Sequence, residues 1–221
     1  MRIERASRKA VDYACKKFHY AQNAAPRAHD LAFSVFNNAS EWCGCVCFGR
    51  GATNDIGKPY GLRSGECIEL IRVALNGKQK NVSSILAVCL KLIKKHAPLT
   101  KMVVSFADTE QGHSGTIYQA TNWIYCGLSK SVTEYILNGK RIHGRTYRAK
   151  GKPKGAEKVK GSQKHRYIYP LHKSMIPLCK SLAQPYPKKQ AQEVNEDKRP
   201  ASSRETGGSS PTLALKNLET N

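Results

Sequence analysis

The chain is short of acid and of long apolar runs. No stretch approaches the roughly 20 consecutive apolar residues of a membrane-spanning helix, and the N-terminal MRIERASRKAVDYACKK holds no apolar signal core. A helical membrane protein is excluded, and a cytoplasmic location is expected. No internal repeat is visible, which excludes solenoid and propeller arrays. Acidic residues number 16 against 37 Lys and Arg, a formal net charge of +21. Beyond residue 181 six basic residues face five acidic ones, so nearly all of the excess lies in the first 181 residues. A folded domain that basic repels itself unless it meets a polyanion, and acidic residues would give solubility at least as well. Nucleic acid is the leading partner; an anionic membrane surface comes second.

Eight cysteines are present. Without a secretion signal they are expected to stay reduced. The run Trp42-Cys43-Gly44-Cys45-Val46-Cys47-Phe48 alternates with period two, which predicts that its three sulfurs share one face of a strand. Zinc usually wants a C-x2-4-C turn wrapped around it. These cysteines therefore read as small buried hydrophobes.

Apolar spacing predicts a helix over 3–17, strands over 31–37 and 41–49 joined by a turn, a strand over 66–75, and an amphipathic helix over 82–96. A short buried strand of parallel type follows at 102–106, then a helix over 114–125 stopped by Gly127. A hairpin over 131–148 turns at Asn138-Gly139. Residues 150–161 read as a flexible basic loop, and 165–171 as a last strand. The expected architecture is a mixed α/β sheet flanked by helices. Residues 1–181 form one domain, and the Pro-, Gln-, Glu- and Ser-rich segment 182–221 is a disordered tail.

That element order resembles the GNAT (Gcn5-related N-acetyltransferase) fold. The local motifs are Phe18-His19-Tyr20, Glu69-Leu70-Ile71-Arg72-Val73, and Phe106-Ala107-Asp108 running through Gly112-His113, Ile117-Tyr118-Gln119-Ala120, Asn122-Trp123 and Tyr125 to Gly127. Over roughly residues 16–171 they resemble the Mom family, GNAT-like phage proteins that modify DNA. The resemblance implies conversion of adenine in double-stranded DNA to N6-(carbamoylmethyl)adenine, which shields phage DNA from host restriction enzymes.

Such chemistry needs an acceptor for the N6 proton, a flat surface for a base flipped out of the duplex, and cations for phosphate. Asp108, just past a buried strand at the sheet's edge, is the expected acceptor or general base; the plainer explanation is a turn cap. Family analogy makes Tyr118 a catalytic acid, with buried packing as the competing explanation. The family pattern also marks His19 and Tyr20, and with Asp108 they would form a nitrogen/oxygen site for iron.

Arg72, in mid-strand, must be paired or face a ligand. It reads as a clamp on an anionic donor or on DNA phosphate, or as the partner of Glu66 or Glu69. Acetyltransferases place Q/R-x-x-G-x-G/A after this strand to hold the diphosphate of coenzyme A. Here Asn76-Gly77-Lys78-Gln79-Lys80-Asn81-Val82-Ser83-Ser84 departs from that pattern. Lys78, Lys80, Asn81 and Ser83 could still cradle an acyl-CoA-type or other phosphate-bearing donor. For DNA contact the candidates are Arg141, Arg145 and Arg148, the loop 150–164, Lys164 and Arg166, interleaved with Tyr147, Tyr167 and Tyr169. A homodimer is the assembly to be tested. Two other functions fit the residues: an ordinary N-acetyltransferase using acetyl-CoA, and a non-enzymatic basic nucleic-acid-binding protein.

Overall fold

A computed structural model describes residues 1–23, 29–51, 55–79 and 81–187. Lys80 and the tail from residue 188 lie outside the described residues. Strand β1 (Arg2–Arg5) is followed by helix α1 (Arg8–Phe18), strands β2 (His29–Phe36), β3 (Trp42–Gly49) and β4 (Cys67–Leu75), and helix α2 (Val82–His96). Next come β5 (Met102–Asp108), the single turn α3 (Thr116–Gln119), β6 (Ile124–Leu128), β7 (Thr133–Leu137), β8 (Lys140–His143) and α4 (Gly144–Ala149). The described chain continues with β9 (Glu157–Lys160), β10 (Lys164–Pro170) and α5 (Ile176–Ser181).

Seven strands form one mixed sheet in the order β1-β2-β3-β4-β5-β10-β6, with β4 and β5 parallel and the other neighbours antiparallel. The sheet is mixed and flanked by helices, as the sequence suggested. Strands β8-β7-β9 form a second small sheet, inserted between β6 and β10. The apolar side of α2 (Ile85, Leu86, Cys89, Leu90, Ile93) packs with Phe33, Val46, Phe48, Leu70 and Val103. Val11, Ala14 and Cys15 of α1 pack with Ala32, Cys45, Cys47 and Ala74 on the other face. Helix α5 closes that second face through Cys179 against Met102 and Ile168.

Several local expectations are corrected. Residues 3–5 extend β1, with Ile3 opposite Val35, and the helix begins only after Ser7, whose Oγ accepts a hydrogen bond from Ala10 N at 3.2 Å. An N-cap serine ends the helical pattern more sharply than the apolar spacing implies. The three sulfurs do not share a face. Trp42 pairs with Phe36 and Gly44 with Val35, so Cys43 is the extra residue of a bulge. It packs into the α2-side cluster, while Cys45 and Cys47 face α1. Gly44 makes this possible: at φ +119° it holds a backbone in which a Cβ would lie 2.1 Å from the Ala74 carbonyl oxygen.

The segment 141–148 is strand only as far as His143, and 157–160 pairs with β7 instead of hanging free. Residues 182–187 belong to the packed unit. Gln184 N donates to Tyr125 O at 2.8 Å, and Tyr186 Oη to Trp123 O at 2.7 Å, so the segment straps the outer strand β6.

All eight cysteines are reduced and buried. Burial pushes the thiols of Cys45 and Cys179 up to about 11, and those of Cys67 and Cys89 up to about 12. Cys15 moves the other way, through its hydrogen bond with Cys47, yet it has no exposed surface. Only the thiolate reacts. A thiol reagent should therefore label almost none of the native protein and all eight cysteines after denaturation. A denatured count lower by two would mean a disulfide.

Candidate active site

Strands β4 and β5 pair from Cys67 opposite Met102 to Leu70 opposite Ser105, and no further. At that point β4 bulges. Cys47 of β3 pairs with Arg72 and Phe48 with Leu70, leaving Ile71 as the extra residue. A bulge bends its strand and adds twist. Beyond it the two parallel strands part, and a cavity of about 550 Å³ opens between them. Both strands run on past the split, so their last residues line its walls: Arg72 and Val73 from β4, Ala107 and Asp108 from β5. Phe18, His19 and Tyr20 close it from the end of α1, His113 from the loop after β5, and Tyr118 from α3. The four residues expected to be catalytic are brought to one place.

Asp108 caps the turn after β5: its Oδ1 accepts from Glu110 N at 3.1 Å. Its Oδ2 lies 3.0 Å from Lys164 Nζ. The register that sets Lys164 opposite Asp108 on β10 explains the pair. Only 13% of the Asp108 side chain is exposed. A carboxylate offers about four acceptor sites, so capacity remains for a substrate donor.

Burial and the charge of the nearby Asp108 carboxylate raise the Tyr20 hydroxyl above the usual range, with Lys164 and Arg72 opposing. Tyr20 is 47% exposed; its ring lies 4.2 Å from the His19 ring and meets His113 edge-on at 5.5 Å. His19 is buried. Its Nδ1 accepts from Ala21 N at 3.1 Å, which leaves the proton of the neutral ring on Nε2. Burial, then the charges of Arg72 and His113, lower its pKa to about 4. It is neutral at physiological pH.

Tyr118 lies deepest, 8% exposed, against Tyr167 and Trp123. Burial pushes its hydroxyl up to about 12, so it carries its proton at neutral pH. Ser105 Oγ stands 2.9 Å from Tyr118 Oη and 3.1 Å from the Leu70 carbonyl oxygen, where the strands separate. His113 belongs to the 106–127 motif without an assigned role, and Ser105 is not part of it. A lone serine inside Met-Val-Val-Ser-Phe was the available signal.

Arg72 does not pair with Glu66, which is held by Lys101 at 2.7 Å. Its Nη2 donates to Asn23 Oδ1 at 3.0 Å, and its buried Nε has no hydrogen-bond partner among the described residues. A buried unpaired donor on a cation is costly, and an anionic ligand would satisfy it.

The loop before α2 satisfies itself. Asn81 Oδ1 accepts from Ser83 N, Ser84 N and Ser83 Oγ at 3.1, 3.3 and 2.6 Å. Gln79 Oε1 accepts from Gly77 N, and Asn76 Oδ1 from Lys78 N. Lys78 Nζ lies 3.5 Å from Glu41. A donor phosphate here would replace side-chain oxygens on these amides.

The iron site is not carried by this arrangement. His19, Tyr20 and Asp108 do converge. The Asp108 carboxylate, however, has an ammonium ion on one oxygen, and His19 Nδ1 is occupied by a backbone N–H. No group of three His, Cys, Asp or Glu side chains suited to a metal occurs among the described residues.

The cations assigned to DNA also sort differently. Lys164 belongs to Asp108. Arg141 is held by Glu110 and Glu134, each at 2.6 Å. Arg166 is half-buried, its Nη2 on the Cys126 carbonyl. Arg145 and Arg148 are exposed on α4, where Tyr147 stacks on Tyr135 at 3.7 Å. Among the described residues no helix is long and apolar enough to cross a membrane.

A mixed sheet that splits between β4 and β5 around such a cavity makes this a GNAT-like α/β protein. The chain belongs to the Mom protein family, which matches it over residues 1–188. Among solved structures it is similar to the spermidine/spermine N-acetyltransferase SpeG from Vibrio cholerae in complex with manganese ions. Identity is 9% and the TM-score 0.47, over 80% of this chain and 95% of that one. A mutant form of the same enzyme gives 8% identity and a TM-score of 0.46, over 80% and 98%. No curated protein matches the chain.

Proposed function

We propose that the protein is a transferase that modifies N6 of adenine in double-stranded DNA, forming N6-(carbamoylmethyl)adenine and so protecting phage DNA from restriction in the host cytoplasm. Membership of the Mom family sets this reading. The observation that carries it is the set of side chains around one cavity: a half-exposed Tyr20, the Asp108 carboxylate near its hydroxyl, and a buried, protonated Tyr118.

The exocyclic amine is a poor nucleophile because its lone pair is drawn into the ring, and N6 sits on the Watson–Crick edge. The base has to leave the stack. Tyr20 offers it a face, at about 1–3 kcal/mol per stacked base. Asp108, held in place by the Glu110 amide and Lys164, takes the N6 proton as nitrogen bonds the transferred carbon. Tyr118, kept neutral by burial, gives its proton toward the leaving group. Arg72 holds the anionic part of the donor through its unsatisfied Nε. A phosphate-bearing donor whose CH2 carbon bonds N6 as its bond to the leaving group breaks would set its phosphates near Lys78 and Ser83, displacing the Asn81 side chain; attack on the carbonyl of an acyl-CoA would instead give an N6-amide. The exposed cations of α4 and of residues 150–160 contact the DNA backbone.

The test is to express the protein in a bacterium, digest the DNA to nucleosides, and analyse them by mass spectrometry. A deoxyadenosine heavier by the carbamoylmethyl group is expected. Unmodified deoxyadenosine beside soluble, folded protein would refute the proposal. DNA binding without modification would then favour a binding protein, and acetylation of a small amine an ordinary acetyltransferase.

A further inference from the structure

The inserted segment 129–163 holds ten Lys and Arg and two acidic residues, Glu134 and Glu157. On a surface so poor in acid, an arginine that occupies two carboxylates is unlike its neighbours. Arg141 of β8 does so. Its Nε lies 2.6 Å from Glu134 on the adjacent strand, and its Nη1 lies 2.6 Å from Glu110 in the loop at the cavity rim. Its Nη2 donates to the Lys160 carbonyl at 3.3 Å, on β9. One guanidinium thus ties all three strands of the small sheet to the rim loop.

We infer that Arg141 is a positioning residue for Asp108, coupling the inserted sheet to the site, and not a contact to DNA. The inference rests on the DNA-modifying reading given above. Glu110 joins the two parts: its side chain takes Arg141, while its backbone N–H donates to Asp108 Oδ1 at 3.1 Å. A second bond runs alongside, from Thr109 Oγ1 to Gln163 O at 2.5 Å. Lys164, at the base of the insert, holds the other oxygen, and its backbone exchanges hydrogen bonds with Ser129 across the neck. Both oxygens of Asp108 are therefore oriented by groups that the insert controls. Cations of the insert that meet a duplex would set the sheet, and Arg141 carries that placement to the carboxylate.

An exposed ion pair adds little to stability, so the signature is kinetic. Arg141→Gln and Glu110→Gln should each lower kcat about tenfold through a looser carboxylate. Melting temperature, KM for duplex DNA and the salt dependence of DNA affinity should be unchanged. The double variant should lose no more than Arg141→Gln alone, because Glu110→Gln removes a link that Arg141→Gln has already broken. A contact to phosphate behaves otherwise. Arg141→Gln would then weaken DNA binding and reduce the salt slope by about one, and Glu110→Gln would leave kcat alone. That pattern overturns the inference.

Amide hydrogen exchange at Glu110–His113 gives a readout free of activity. It should speed up in Arg141→Gln, and unchanged exchange would also overturn the inference. If wild-type protein modifies no adenine, the functional reading fails by itself, and the exchange experiment still decides the link.

Discussion

Asp108→Asn should stop adenine modification while leaving the fold and DNA affinity in place. Asparagine keeps the shape of the side chain, and its carbonyl oxygen can still accept from the Glu110 amide that now bonds Oδ1 at 3.1 Å. It cannot take a proton from N6, and it presents an amide to Lys164, whose ammonium now lies 3.0 Å from Oδ2. Loss of a positioned general base removes typically 10²–10⁴-fold in rate, about that much being expected here. Neither His19 nor the two tyrosines of the site can substitute. His19 has a pKa of about 4 and no free acceptor nitrogen, since Nδ1 takes the Ala21 N–H and Nε2 carries the proton. Tyr20 and Tyr118 both hold their protons above the usual tyrosine range.

Single-turnover rates on duplex DNA, set beside DNA affinity for the same variant, check the expectation. A rate within a few-fold of wild type would leave Asp108 as a turn cap. Weakened binding together with a lost rate would make it a structural residue of the rim loop. Lys164 sharpens the test. Lys164→Gln should reduce the rate by less than Asp108→Asn, since it orients the carboxylate without exchanging protons.

Helix α2 was legible to the residue, because a 3.6-residue apolar repeat and an asparagine N-cap both mark its bounds. The resemblance collected Asp108, Tyr118, His19 and Tyr20, and the fold brings them around one cavity. The segment 114–125 misled, since Ile117, Tyr118, Ala120 and Tyr125 recur at a spacing close to helical. The turn stops after Gln119: Thr121 Oγ1 returns to the Ile117 carbonyl at 2.8 Å, and Asn122 goes to φ +58°. A hydroxyl that competes for helical carbonyls leaves little trace in a hydropathy pattern. The Asp108–Lys164 pair was out of reach for another reason. Fifty-six residues separate the two, and only the register of β10 on β5 brings them together. Arg141 shows the same limit. Its composition context says DNA, and its two partners come from β7 and from the loop after β5.

Gly115→Ala should be among the most damaging single changes in the chain, and the reason is steric and local. Gly115 begins α3 at φ +80° and ψ +32°, a left-handed backbone that costs an L-residue roughly 1–2 kcal/mol. A Cβ there would stand 2.3 Å from Tyr167 Cε2, 2.7 Å from its Cζ, and 2.9 Å from Tyr118 Cδ2. The Tyr167 ring cannot yield. It has no exposed surface, its hydroxyl donates to Ser114 O at 2.6 Å, and it receives Gln119 Nε2 at 3.1 Å. The strain has to pass to α3 and Tyr118. Overpacking of this kind costs about 1–3 kcal/mol, so the total is about 2–5 kcal/mol. A displacement of about 1 Å in the proton donor adds a loss of about 10²-fold in rate.

Gly112→Ala is the control. It shares the left-handed backbone, at φ +66°, but a Cβ there meets nothing within 4 Å. Only the backbone cost remains, about 1–2 kcal/mol. Thermal unfolding of both variants isolates the packing contribution, and their rates show whether it reaches the site. Equal behaviour of the two would mean that Gly115 does not press α3 and its Tyr118 against Tyr167. The packing that holds Tyr118 in place, and with it the proton it is proposed to donate, would then lose support.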